Sequence, residues 1–301
     1  MVMTVLGEVA PEQLGVTLPH EHVFIDLVRE YRGDGLLNDP VLAVQELTAF
    51  VEAGGRTLVD CTNVGLGRDP RALAEVARAT GLNVVMGSGF YRDPYLPEEL
   101  DRLPVEALAD LIVRDIEEGV DATGVRAGII GEVGADRAWL SAREERSFRA
   151  AARAHHRTGL TITTHAARWP VGLPQLDLLA EEGVDPRRVV VGHCDMVPDP
   201  GYHLAVAARG AWVQLDTVQG ESEYDVGRRV AWLRNLAEHD RLGQVLLSQD
   251  VCLRSNLRAL GGSGYTYVVT GFADVLREAG FDDADLRRLL VDNPRRALTG
   301  D

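Results

Sequence analysis

Eight short runs of β-branched and apolar residues recur along the chain, at 16–22, 56–62, 83–90, 127–134, 161–167, 189–195, 211–217 and 245–251. Amphipathic stretches punctuated by glycine or proline separate them, the clearest being 70–80, 104–119, 141–158, 173–182, 202–209 and 226–239, and a closing helix is expected over 282–298. Repeated strand and helix units imply parallel strands, because a parallel pair needs a crossover long enough to hold a helix. Eight is the count at which such a sheet closes into a barrel whose interior the side chains can fill. The expected fold is therefore of α/β class, a single (β/α)8 barrel over residues 1–301, with a doubly wound open sheet as the competing topology. Asp69-Pro70 and Leu103-Pro104 fit helix starts, and Gly81, Gly159 and Gly210 fit helix ends. No low-complexity linker or charge block divides the chain.

In a barrel of this kind the reactive groups stand at the C-terminal ends of the strands. The first strand ends His20-Glu21-His22; side chains alternate across a strand, so the two histidines share one face and Glu21 points the other way. The fourth strand ends Gly131-Glu132, the fifth Thr164-His165, the sixth Gly192-His193 and the eighth Gln249-Asp250. A lone inward histidine is ordinarily a hydrogen-bonded core residue, and a lone buried glutamate ordinarily pairs with an arginine. Four histidines and two carboxylates converging on one mouth are another matter, because burying them together without a cation is costly. His20, His22, Glu132, His165, His193 and Asp250 are thus expected to bind metal, and zinc, manganese and cobalt all suit such mixed nitrogen and oxygen ligands. His155, His156, His203 and His239 fall away from strand ends and are read as solvated or structural.

Composition removes several alternatives. The chain has no lysine, so all 31 of its basic residues are arginine. Schiff-base aldolases, pyridoxal-phosphate enzymes and P-loop NTPases, which need a lysine amine, are excluded. A net charge of -15 repels phosphate backbones and anionic lipid heads, so neither nucleic acid nor a membrane surface is an expected partner. Cys61, Cys194 and Cys252 are odd in number and scattered, which suits a reducing compartment better than a disulfide framework. With no signal-like N-terminus and no run long enough to span a bilayer, the expected location is cytoplasmic.

The motifs carry a resemblance. Leu14-Gly15-Val16-Thr17-Leu18-Pro19-His20-Glu21-His22, Ala127-Gly128-Ile129-Ile130-Gly131-Glu132-Val133-Gly134 and Val191-Gly192-His193-Cys194-Asp195 resemble the phosphotriesterase family of the amidohydrolase superfamily over nearly the whole length. Cys61-Thr62-Asn63, Gly87-Ser88-Gly89-Phe90-Tyr91 and Gly261-Gly262-Ser263-Gly264-Tyr265 are most similar to its branch of phosphotriesterase homology proteins. The resemblance implies two divalent cations per chain, zinc first, with manganese or cobalt as alternatives. His20, His22 and Asp250 would hold one, His165 and His193 the other, and Glu132 would bridge them. Better-known phosphotriesterases bridge with a carboxylated lysine where this chain has Gly131, so the neighbouring carboxylate is the local candidate and classical phosphotriesters are placed in doubt. A homodimer is also implied.

The chemistry expected is hydrolysis of an ester, lactone, amide or phosphoester bond in a small, anionic molecule. One metal would polarise the substrate oxygen, the pair would lower the pKa of bridging water from ~15.7 towards neutrality, and Asp250 would take its proton. Tyr91, after the third strand, is placed either to hydrogen-bond a leaving group or hydroxide, or to pack in the rim. Arg168 and Trp169 after the fifth strand and Arg254 after the eighth are candidates to meet a substrate anion, or else ordinary surface residues. Leu215-Asp216-Thr217 lacks the Asp-Arg-Tyr-Gly run of lactonase relatives, which counts against acyl-homoserine lactones. Two alternatives stand beside this reading: a one-metal deaminase, opposed by His165-Ala166-Ala167-Arg168 where a glutamate is needed, and a binding protein that keeps the barrel without chemistry.

Overall fold

In the computed structural model, which describes residues 1–220 and 222–301, all eight runs form strands of one sheet. They are β1 (Val16–Glu21), β2 (Gly55–Asp60), β3 (Asn83–Ser88), β4 (Ile129–Gly134), β5 (Ile162–His165), β6 (Val189–Val191), β7 (Trp212–Leu215) and β8 (Val245–Leu247). Each pairs with its sequence neighbour, and every pairing is parallel. The order is that of a barrel, since it has none of the reversal a doubly wound sheet needs.

Helices follow the strands: α1 (Pro40–Glu52), α2 (Pro70–Thr80), α3 (Val105–Glu117), α4 (Ala142–Thr158), α5 (Gly172–Glu181), α6 (Pro200–Ala208), α7 (Glu223–Glu238) and α8 (Gly271–Glu278). Local chemistry sets their ends. Asp39, Asp69 and Asp199 each cap a helix that opens on proline, and Ser141 forms a capping box with Glu144; such a cap is worth about 1 kcal/mol. Gly81 and Gly159 close α2 and α4 in the left-handed region. The expected closing helix is interrupted: Asp283–Arg287 and Asn293–Thr299 flank a wider turn at Arg288–Asp292.

Alternation along the strands divides the core. Leu58, Val84, Met86, Ile130 and Ile162 pack outward under the helices. Their strand neighbours Val59, Val85 and Ile129 pack with Val2, Leu14 and Leu298, and Val190, Trp212 and Leu246 form a second small cluster with Ala297. The antiparallel hairpin of Val2–Thr4 and Gly7–Val9 lies at the start of β3, where Val5 N donates to Val84 O at 2.8 Å. The opposite, C-terminal end of the strands is left open.

Closure between β1 and β8 is made by a side chain. Among the described residues no backbone hydrogen bond joins these two strands. Glu21 bridges them instead, accepting from Ser248 Oγ and Gln249 N at 2.7 Å and from Val251 N at 2.8 Å.

Candidate active site

A register irregularity between Leu18 and Glu21 interrupts the pairing of β1 with β2, which resumes at Glu21 opposite Asp60; around it His20 and His22 share the inner face while Glu21 faces the turn after β8. Glu132 lies on β4, and His165 is the last residue of β5. His193 and Asp250 were expected at strand ends, but β6 stops at Val191 and β8 at Leu247. Both residues adopt positive φ, 55° for His193 and 49° for Asp250, and extended pairing cannot continue through that conformation. For a non-glycine residue it costs on the order of 1–2 kcal/mol, so the surroundings must hold it. The result is that both side chains turn back over the barrel mouth.

The six expected ligand residues come together. His20, His22 and Asp250 present ligand atoms all within 4.8 Å of one another, as do His20, Glu132 and His193. Glu132 is central: one oxygen lies 3.6 Å from His22 Nε2, the other 3.4 Å from His20 Nε2, 3.2 Å from His165 Nδ1 and 3.4 Å from His193 Nε2. Asp250 Oδ1 is 3.2 Å from His22 Nε2 and 3.8 Å from His20 Nε2. Gly131 cannot carry a side chain here. With φ of 121°, a Cβ would meet Thr163 O at 2.2 Å, so the only carboxylate that this segment can offer is that of Glu132.

Partners behind the imidazoles choose which nitrogen faces the centre. His20 Nδ1 is 3.2 Å from Gln214 Oε1, His22 Nδ1 is 2.8 Å from Thr62 Oγ1, and His193 Nδ1 is 2.7 Å from Asp216 Oδ1. Each contact leaves Nε2 as the inward nitrogen, the arrangement that orients metal-binding histidines. Sequence reasoning missed Thr62, Gln214 and Asp216; Asp216 had one signal, a carboxylate at the end of the seventh strand. Asp195 holds the turn behind them, accepting from Asp216 N, Thr217 N and Oγ1, and Arg229 Nε.

The field at the centre is negative. Burial opposes ionisation of Glu132, yet His20 and His165 hold it well below the usual carboxylate range. Burial is likewise outweighed at Asp250, where the hydrogen bond from His22 and the neighbouring His193 and His20 bring it down to about 2. At His193 burial works against the charge, but Asp216 lifts the imidazole to about 10. Burial and the adjacent His193 depress His165 to about 3. Among the described residues no arginine pairs with Glu132, Asp216 or Asp250. His20 Nε2 is buried without a hydrogen-bond partner and points at the gap between Glu132 and Asp250. An unpartnered inward imidazole nitrogen, two anionic carboxylates and three further imidazoles are the donor set of a divalent cation site, and these residues fit one.

The other four histidines are engaged elsewhere. His155, His156, His203 and His239 each contact a main-chain carbonyl, of Leu160, Glu182, Cys194 and Asn235 respectively.

A cavity of about 150 Å³ opens onto the cluster, walled in part by Tyr91, Arg92, Arg168, Met196 and Cys252. Tyr91 is buried, with its hydroxyl 3.1 Å from His165 Nδ1, and burial with the nearby Glu132 raises its pKa well above the ordinary phenol value, so it keeps its proton. Arg92 is committed: Glu30 grips it through two 2.9 Å hydrogen bonds and Asp136 through another. Arg168 is not: its side chain is exposed at the cavity edge, without an ion pair among the described residues. Trp169 and Arg254 stand outside this lining. Trp169 is 49% exposed, and Arg254 borders a separate cleft with Leu37, Asp39 and Tyr265. The turn Arg254–Asn256 carries the arginine away from Asp250, because Ser255 is tied to Asp34.

Comparison with known proteins places this geometry. The sequence matches the phosphotriesterase family over residues 1–298. It is 40% identical over 281 residues to the phosphotriesterase homology protein of Escherichia coli, covering 93% of this chain and 96% of that protein. A crystal structure of that homology protein complexed with phosphate in the active site aligns with a TM-score of 0.92, covering 95% of this chain and 99% of that one at 39% identity. The N-acetyltaurine hydrolase of Dictyostelium discoideum is 32% identical over 275 residues, 87% of this chain and 74% of that protein. A lactonase structure from Listeria monocytogenes aligns with a TM-score of 0.91 at 28% identity, covering 100% of this chain and 99% of that one.

Proposed function

This chain belongs to the phosphotriesterase family, and from that premise we propose that it is a metal-dependent hydrolase cleaving an amide, ester or lactone bond in a small anionic compound. The observation that carries the reading is the position of Glu132, whose two oxygens face both histidine pairs while Asp250 closes the cluster beside the cavity. His20, His22 and Asp250 would hold one cation, His165 and His193 a second, and Glu132 would be shared. Cations held there supply Lewis acidity towards the substrate oxygen and make water a stronger acid.

The chain's own groups provide the rest. Asp250 is anionic, faces the cavity and accepts the proton of the attacking water. Tyr91 keeps its proton and offers a hydrogen bond at the wall formed by His165. Arg168, free of carboxylate partners, meets the substrate's anion, whereas Arg92 is already neutralised by Glu30 and Asp136. A cavity of about 150 Å³ suits a compact substrate.

Among bond types, an acyl amide of a small amino acid or aminosulfonate ranks first, because N-acetyltaurine hydrolases are among the relatives and because Arg168 supplies the cation such a substrate needs. Lactones rank second, on the likeness to the Listeria lactonase.

The test is a panel of N-acyl amino acids, N-acyl aminosulfonates, carboxylate esters, lactones and phosphotriesters assayed with zinc- or manganese-loaded protein, alongside metal analysis. About two ions per chain and turnover of an anionic amide or ester support the reading. One ion per chain with deamination of a nucleobase-like amine would replace it with the one-metal alternative, and bound metal without turnover on any substrate would favour a binding protein.

A further inference from the structure

Glu21 lies between His20 and His22 yet faces away from the cluster, and nothing in the proposed chemistry uses it. Its carboxylate is fully buried, and its three hydrogen bonds all run to the turn that follows β8. The pattern of those bonds is specific. Oε1 takes Gln249 N–H at 2.7 Å and Oε2 takes Val251 N–H at 2.8 Å, so the two oxygens straddle Asp250. Asp250 is the residue in this turn with a left-handed backbone, at φ of 49°. A carboxylate with both oxygens fixed on the flanking amides determines the orientation of the peptide planes on either side of that residue, and so where its side chain points.

Neighbouring contacts make the arrangement one circuit. Ser248 Oγ donates to Glu21 Oε1 at 2.7 Å while accepting from His20 N at 3.1 Å, so the strand that carries two imidazoles is tied to the turn that carries the aspartate. Gln249 is held from its far side, its amide donating to Gly264 O and its Oε1 accepting from Val268 N at 2.9 Å.

We propose that Glu21 is a positioning residue for hydrolysis: by gripping the backbone on both sides of Asp250 it holds the turn that aims this aspartate at His20 and His22. The inference rests on the reading of Asp250 as proton acceptor and metal ligand. The competing view is a purely structural bolt between the first and last strands, and the two differ in what they predict for equally destabilised variants.

Glu21→Gln keeps the volume but sets an amide N–H₂ against a backbone N–H. In zinc-loaded protein its kcat is expected to fall about 10–100-fold with KM within about twofold, and competition against a chromophoric chelator is expected to show one zinc held at least about tenfold more weakly. The control is Asn293→Ala, which frees Leu242 O and Val245 O at the other end of β8 and so loosens the same strand away from the site. At a matched loss of Tm it should keep kcat and both zinc affinities. Ser248→Ala removes one of the three bonds to Glu21 together with the contact from His20 N, so it breaks the same circuit at another point; it is expected to give a smaller loss with the same kcat-over-KM split and carries the test if Glu21→Gln does not fold. Parent-like kcat and zinc retention in Glu21→Gln or Ser248→Ala, or equal losses in Asn293→Ala, would overturn the proposal. Asp250→Asn run in parallel separates the two levels: if it keeps full turnover, the functional reading of Asp250 has failed, whereas an inactive Asp250→Asn beside an unimpaired Glu21→Gln condemns the positioning role alone.

Discussion

Asp216 Oδ1 lies 2.7 Å from His193 Nδ1, and the same carboxylate accepts the His193 main-chain N–H. One buried acid therefore fixes both the ring and the backbone of a residue held at φ of 55°, while its other oxygen reaches to 3.4 Å from His20 Nδ1. Two imidazoles that both approach the same oxygen of Glu132 share this support. Asp216→Asn replaces one acceptor oxygen with a donor, which disfavours the tautomer that points His193 Nε2 inward. Metal affinity is expected to fall about 10–100-fold, with kcat/KM measured at saturating zinc falling less than at limiting zinc. Chelator competition and a zinc titration of the rate check this; a variant that matches the parent at limiting zinc would show that Asp216 serves only the fold.

Asp250→Asn addresses proton transfer. The amide is neutral and a poor base, yet nearly isosteric, so at least one cation is expected to remain bound through the other ligands. Loss of a positioned general base costs on the order of 10²–10⁴-fold in rate. Single-turnover assays on the best substrate of the panel, with metal content measured on the same sample, test the claim. Full activity would remove Asp250 from the proton path.

Arg168→Ala is expected to act on binding. A charge-assisted hydrogen bond contributes about 1.5–3 kcal/mol, equivalent to a KM raised about 10–100-fold for an anionic substrate, with kcat nearly unchanged. A neutral analogue of the same acyl group should lose little. Arg254→Ala is the matched comparison, because its guanidinium borders a different cleft and its removal should leave both substrates unaffected. Equal KM values for parent and Arg168→Ala on the anionic substrate would assign the anion to another group.

The barrel was legible because its signal is periodic: eight alternating units each repeat the same burial problem, so errors at single boundaries do not change the topology. The six ligand candidates were legible for a related reason, since they recur at the C-terminal ends of five of these units, although His193 and Asp250 sit in turns just beyond β6 and β8. What stayed hidden is the layer behind them. Ser248 and Glu21 lie 227 residues apart, and Thr62 supports His22 from the loop after β2, so no local pattern connects either pair. Glu30, Arg92 and Asp136 look in sequence like ordinary surface charges, but they come from the segments that follow β1, β3 and β4 and meet at the cavity wall. Trp169 and Arg254 were selected by proximity in sequence to ligand residues. Proximity along the chain does not set direction, and the turns after β5 and β8 carry both side chains away from the lining.

His203 gives the fold a dependence on acid that is separate from metal binding. Its ring is buried against Trp232 and donates through Nε2 to Cys194 O at 2.7 Å and Val197 O at 3.0 Å, holding the turn just beyond His193. Burial lowers its pKa below the ordinary value, more than the two carbonyls restore it. The unfolded chain therefore binds more protons between the folded value and about 6.5, and stability falls as pH drops through that interval. The stabilisation is fully present above it. His203→Gln keeps an N–H donor for the carbonyls but cannot titrate, so its unfolding free energy should fall less steeply with acid. The difference in slope between parent and variant is bounded by one proton, about 1.4 kcal/mol per pH unit. Zinc release from the ligand histidines occurs in both proteins and cancels in the comparison. Urea unfolding of each at several pH values below 7 measures the two slopes, and identical slopes would mean that His203 takes up its proton without cost inside the folded barrel.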